Sequence, residues 1–303
     1  MIYFILLLTR YSMAKKERTK IFLDSGDPAE TKEMIALLGF LDGQTTNPSL
    51  IAKNEALRER LKAEDTVTEN TVLNLYKEVV IEIAHQIPDG SVSIEVYADK
   101  ETPVEDIYSQ GQEMFSWISN AHVKFPITKE GLIAAERAVR VGLRVNMTLC
   151  FSQEQAAAVY SATMGAQRGQ VFISPFVGRL DDRGEDGMSL IKNITQMFEK
   201  SDGHVEVLTA SVRNLDHFMY ALHLDSDIIT APASVLREWA EKKMPSPPDD
   251  YVHDAKGLTP IEYKEINLLQ DNLDWRNYDI AHELTDAGLQ KFADDWNNLV
   301  RGK

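Results

Sequence analysis

Between residues 20 and 243, short apolar runs alternate with helix-patterned stretches about eight times. Strands are expected at 20–24, within 40–50, and at 91–97, 121–128, 144–150, 171–174, 205–210 and 228–230. Helical spacing fills the intervals: 29–38, 65–86, 102–119, a stretch capped by Thr128 and running to about residue 142, 152–165, 188–200, 215–224 and 234–243. Strands joined by helical crossovers must run parallel, because a tight hairpin can only reverse the chain. Eight such units in so short a span match a closed (β/α)8 TIM barrel, class α/β, better than an open sheet. A doubly wound sheet would normally carry a glycine-rich turn after its first strand, and none is found.

Several local details follow. Met34, Leu37 and Leu38 are expected to form the buried stripe of the first helix. Pro48 should hold Asn47 extended, with its amide exposed at a strand end. Ser152 and Gln155 have the spacing of a capping box. Prolines 245, 247 and 248 punctuate a linker at 241–250, and helices are expected at 259–269 and 285–300, packed on the barrel. The chain thus divides into residues 1–19, a leader or disordered start in which Met13 is the expected true first residue, a barrel at 20–243, and a linker with C-terminal helices at 244–303.

Composition narrows the partners. The 303 residues carry a formal net charge of −15, which disfavours nucleic acid because phosphate neutralisation needs clustered Lys and Arg. The apolar run at 2–8 is too short to span a bilayer and lacks the features of a secretory signal. A lone cysteine, Cys150, excludes an internal disulfide and fits a reducing, cytoplasmic compartment; it is read as inert core. There is no CxxC or HExxH, and the seven histidines are scattered, so no metal site is expected. Homo-oligomer formation is left open.

One lysine stands inside an apolar run at 121–128. On a strand, His122, Lys124 and Pro126 share one face. Lys124 therefore meets either solvent or an enclosed polar site, where desolvation would favour a free amine able to attack a carbonyl. Active sites of such barrels lie at the C-terminal ends of the strands. Those ends carry Asp24, Asn47, Glu95, Lys124, Asn146 with Thr148, Ser174 with Arg179, and Ser211 with Arg213. Every strand but the last contributes. A lysine for a Schiff base, two carboxylates for proton transfer and two arginines for a phosphate are the equipment of aldol chemistry on a phosphorylated sugar.

The segments that carry these residues resemble the transaldolases of the pentose phosphate pathway. They are Leu23-Asp24-Ser-Gly-Asp, Thr45-Thr-Asn47-Pro-Ser-Leu, Ser93-Ile-Glu95-Val, Val123-Lys124-Phe-Pro, Asn146-Met-Thr148-Leu, Ser174-Pro-Phe-Val-Gly-Arg179 and Ala210-Ser-Val-Arg213-Asn214. The second and sixth are the specific ones. The resemblance implies a Schiff base on Lys124, with Asp24 moving the proton of the C4 hydroxyl. Glu95 would shuttle protons through a water held with Thr148. Asn47, Asn146 and Ser174 would hold substrate hydroxyls, and Arg179, Arg213 and Ser211 the phosphate. A dihydroxyacetone unit would pass from a ketose phosphate, such as sedoheptulose 7-phosphate or fructose 6-phosphate, to an aldose phosphate, with no cofactor. Phe176 separates this reading from the related fructose-6-phosphate aldolases, which resemble the same segment but carry tyrosine there. A non-catalytic sugar-phosphate-binding barrel is the remaining alternative. His122 is read as a packing residue, and the acidic stretch 181–187 as a solvated loop without calcium-ligand spacing.

Overall fold

The computed structural model describes residues 18–64, 66–268 and 274–301. Residues 1–17, Met13 among them, lie outside the described residues; at the end of the proposed leader, Arg18 instead pairs with Asp42 at 2.9 Å. The chain runs β1 (Lys20–Asp24), α1 (Pro28–Leu38), β2 (Gly43–Thr45), α2 (Pro48–Lys53), α3 (Glu55–Lys62), α4 (Glu69–Gln86) and β3 (Ser91–Glu95). It continues through α5 (Val104–Phe115), β4 (Ala121–Pro126), α6 (Lys129–Arg140), β5 (Val145–Cys150), α7 (Gln153–Ala162) and β6 (Val171–Pro175). Then come α8 (Val177–Asp181), β7 (Glu185–Asp186), α9 (Gly187–Phe198), β8 (Val205–Thr209), α10 (Leu215–His223), β9 (Ile228–Ala231) and α11 (Ala233–Glu241). Last are β10 (Thr259–Pro260), a 3-10 turn at Trp275–Asn277, and α12 (Glu283–Val300).

Eight strands close into a parallel barrel in the order β1-β2-β3-β4-β5-β6-β8-β9, as the alternation predicts. The seam is β1 against β9, with Lys20 opposite Ile228 and Leu23 opposite Ala231. Every residue of β4 and β5 is buried, the mark of strands covered on both faces. Helices start where short polar side chains meet free backbone amides: Asp27 caps α1, Thr128 caps α6 and Ser152 caps α7.

Four local expectations are corrected. Leu37 is 43% exposed; Thr31, Met34 and Leu38 form the buried stripe of α1, since 31, 34 and 38 keep the helical period better than two adjacent leucines. Asn47 is extended, but its side chain is buried and its Oδ1 accepts from Leu50 N at 2.9 Å, capping α2. Only half of the capping box forms. Ser152 accepts from Gln155 N, while Gln155 Oε1 instead accepts from Phe151 N at 2.7 Å.

The fourth is the helix at 259–269. Over its described part, Thr259 and Pro260 pair with β7, and the segment beyond them is irregular. Its backbone is satisfied by side chains of the barrel helices rather than by its own turns. Ile261 N donates to Ser189 Oγ at 2.8 Å, Asn193 Nδ2 to Ile261 O at 2.8 Å, and Lys264 N to Gln153 Oε1 at 2.8 Å. Helix α12 then packs on α2 and β5, across the C-terminal end of the barrel.

Candidate active site

Lys124 is 3% exposed, which excludes the solvated-strand reading. Its Nζ lies 2.7 Å from Glu95 Oε2, an ion-pair distance, and donates to Thr46 O at 3.1 Å. Glu95 is 4% exposed. Burial raises its carboxyl above the ordinary range, against the opposing pull of Lys124. The register puts the two residues directly opposite on β3 and β4. Tyr76, from α4, braces this pair: its hydroxyl accepts from Glu95 N at 3.1 Å and meets Thr46 Oγ1 at 2.6 Å.

Asp24 closes β1. Its carboxyl is raised by burial, and the hydrogen bond from Thr45 and the charge of Lys124 oppose that rise. Thr45 Oγ1 donates to Asp24 Oδ1 at 2.6 Å and shares a second hydrogen bond of 2.6 Å with Thr230 Oγ1. Thr230, on β9, corrects the expectation that the last strand brings no polar group to the rim. Both threonines were missed. Thr45 stood inside a conspicuous polar cluster that could have flagged it, whereas Thr230 had no signal beyond its place at a strand end.

Asn146 is fully buried, donating to Ser93 Oγ at 3.0 Å and accepting from Ser174 Oγ at 2.7 Å. Thr148 is also fully buried, and its Oγ1 has no hydrogen-bond partner among the described residues. At this point β5 slips register against β6 between Met147 and Cys150, and Leu149 takes φ 63°. That left-handed conformation costs a residue with a side chain about 1 kcal/mol or more.

The arginines come from the loops after β6 and β8. Arg179 is half-buried on α8, its guanidinium 5.1 Å from the ring centres of both Phe176 and Phe292. Burial pushes this guanidinium down from its ordinary value; Glu95 opposes the effect and the like charge of Arg213 adds to it. Two neighbouring cations of this kind favour an anion between them. Arg213 is exposed and paired to Asp182 at 2.9 Å. Its side chain crosses α8 so closely at Gly178 that a Cβ there would fall 2.2 Å from its Nε. Ser211, at φ 59°, accepts from Gly178 N at 3.1 Å.

A cavity of 710 Å³ opens over these groups. Asp24, Asn47, Lys124, Ser174, Phe176, Arg179, Ser211 and Arg213 line it. Glu95, Asn146 and Thr148 do not line it and lie behind that surface. The lining includes six cations (Lys53, Lys124, Arg179, Arg183, Arg213 and Lys291) against Asp24 and Asp182. In a chain of net charge −15, that concentration of positive charge draws anions to one mouth. Lys53 ends α2, the helix that Asn47 caps, whereas Lys291 belongs to α12, whose sequence gives no hint that it approaches the site.

Three remaining expectations can be placed. The acidic stretch 181–187 is more ordered than a solvated loop: Asp181 ends α8 and accepts from Gly187 N at 3.0 Å, and buried Asp186 caps α9. His122 lies away from the cavity, at the opposite end of the barrel. Cys150 is buried, its thiol pushed up to about 12. Among the described residues no helix is long and apolar enough to cross a membrane, and no group of three or more His, Cys, Asp or Glu side chains could hold a metal.

Fold and site together define a parallel (β/α)8 barrel with an ion-paired lysine beneath a cationic mouth. The chain belongs to the Transaldolase/Fructose-6-phosphate aldolase family, whose profile matches residues 21–302. A probable transaldolase of Dehalococcoides mccartyi is 33% identical over 93% of this chain and 100% of its own length. Another from Cereibacter sphaeroides is 38% identical over 91% of this chain and 95% of its own, and a third from Anaeromyxobacter dehalogenans is 33% identical over 93% and 98%.

Proposed function

We propose that this protein is a transaldolase acting on sugar phosphates through a Schiff base on Lys124. The observation that carries the reading is the burial of Lys124 against Glu95, beneath the cavity that Asp24, Arg179 and Arg213 also line. The Lys124 amine attacks the C2 carbonyl of the ketose, and the carbinolamine loses water to give an iminium. A carboxyl raised by burial is a suitable acceptor for the proton that the amine gives up, and Glu95 returns it to the departing hydroxyl. Thr148 Oγ1, buried without a partner, can hold the water that relays it.

Asp24 as carboxylate then takes the proton from the C4 hydroxyl. The C3–C4 bonding pair moves into the iminium, giving an enamine and a free aldose phosphate. An acceptor aldehyde reverses these steps, with Asp24 returning the proton, and hydrolysis frees Lys124. Asn47 and Ser174 orient hydroxyls, with Asn146 behind the surface fixing Ser174 through its hydrogen bond; Arg179, Arg213 and Ser211 hold the phosphate. Residues 20–243 serve as the catalytic barrel and 244–303 as its extension, in a cytoplasmic enzyme. Phe176 favours transfer over aldolase release, because a phenyl ring in the lining offers no hydroxyl to bring water to the intermediate.

Borohydride reduction with fructose 6-phosphate and no acceptor, followed by peptide mass mapping, tests the reading. A dihydroxyacetone adduct on Lys124 is expected. No adduct on folded protein would leave only a binding barrel.

A further inference from the structure

Helix α12 supplies one wall of the cavity, and two of its buried residues reach past that wall to the groups behind it. Thr285 Oγ1 donates to the carbonyl oxygen of Leu149 at 3.0 Å and accepts from Gln155 Nε2 at 2.8 Å. Leu149 follows Thr148 directly and holds the left-handed backbone where β5 slips register. In that conformation its carbonyl is satisfied by α12. Gly288 lies three residues on, on the same face of the helix. A Cβ at Gly288 would fall 2.4 Å from Arg179 Nη1 and 2.6 Å from Leu149 Cδ2. Leu149 is fully buried, and the Arg179 guanidinium, which lines the cavity, can retreat only by leaving its place between two phenyl rings.

We infer that Thr285 and Gly288 are positioning residues of the active site, Thr285 fixing the β5 bulge that sets Thr148 and Gly288 leaving the space in which Arg179 faces a phosphate. The inference rests on the roles proposed above for Thr148 and Arg179. It assigns α12 a part in chemistry as well as in covering the barrel. A merely structural role would lower stability without separating the two functions.

The test uses the full chain with Gly288→Ala, Thr285→Val and Thr285→Ser. For Gly288→Ala, KM for fructose 6-phosphate should rise about tenfold, as for one displaced charge-assisted contact. The dissociation constant for inorganic phosphate, read by calorimetry, should rise in parallel. Trapping of free dihydroxyacetone on Lys124, which involves no phosphate, should slow by a much smaller factor, through the pressure of the added methyl on the Leu149 side chain. Thr285→Val should show the reverse pattern, with trapping slowed about tenfold and phosphate binding unchanged, and Thr285→Ser should restore the rate.

Equal losses in both readouts, or a Thr285→Ser as slow as the valine variant, would overturn the inference. The Thr285 pair carries the test alone should Gly288→Ala not fold. A wild-type protein that binds phosphate but forms no adduct would sink the transaldolase reading instead. Phosphate calorimetry on Gly288→Ala would then still decide whether α12 positions Arg179.

Discussion

His122 and Lys124 stand two residues apart on one strand, on one face, almost equally buried, yet at opposite ends of the barrel. At the N-terminal end His122 Nδ1 meets Ser91 Oγ at 2.7 Å, and Nε2 meets Gly169 O at 3.0 Å. Its ring stacks on Phe172 with centroids 3.9 Å apart. Burial pushes its pKa down to about 3, so it is neutral at any physiological pH. Both ring nitrogens are used, and nothing is left over for chemistry. Lys124 has the same depth but is held by one carboxylate and one carbonyl beside an open cavity of cationic character. Burial by itself therefore does not mark a functional group. His122 also borders a cavity, of 630 Å³, so what separates the two is the neighbours: an uncharged ring with both nitrogens satisfied at one end, an amine against a carboxylate beneath gathered cations at the other.

The largest expected break in this comparison is Lys124→Ala, which should lower turnover at least about ten-thousandfold, as loss of a covalent nucleophile does. His122→Ala should leave turnover intact and cost about 1–3 kcal/mol in denaturant unfolding, through the stranded Ser91 hydroxyl and the lost stack. Exchange of those two phenotypes would reverse the assignment of the barrel ends.

A smaller effect is expected from Thr45→Val. Burial already raises the Asp24 carboxyl, and the Thr45 hydrogen bond holds it down. Without that bond the carboxyl rises further, so the base form is lost at higher pH. The acidic limb of the kcat/KM profile should move towards neutrality, while the alkaline limb stays in place. An unmoved acidic limb would remove Asp24 as the base.

The smallest effect is Phe176→Tyr. It should raise dihydroxyacetone release relative to acceptor-dependent product by a few-fold, and a constant ratio would remove Phe176 as the determinant.

Much of this was legible in the sequence because the barrel repeats one local rule. Each strand is a short apolar run and each helix begins at a polar cap, so β1 and α6 could be placed almost to the residue. The rim residues were legible for the same reason, since strand ends face one mouth. What stayed hidden depends on partners distant in the chain. The strap after residue 259 looks helical in pattern but takes its hydrogen bonds from Gln153, Ser189 and Asn193. Thr230 meets Thr45 across the barrel seam, 185 residues away in sequence. Lys291 reaches the cavity only because α12 crosses the barrel mouth. No local window contains those facts.

The position of α12 along the chain also bears on how the enzyme is made. Synthesis delivers all eight barrel strands before α12, and β1 must wait for β9 before the ring can close. A ring that closes before α12 docks has its lysine in place but Leu149 unfastened and one side of the mouth open. Until α12 docks, the site lacks one wall of its cavity and the Thr285 hydrogen bond to Leu149.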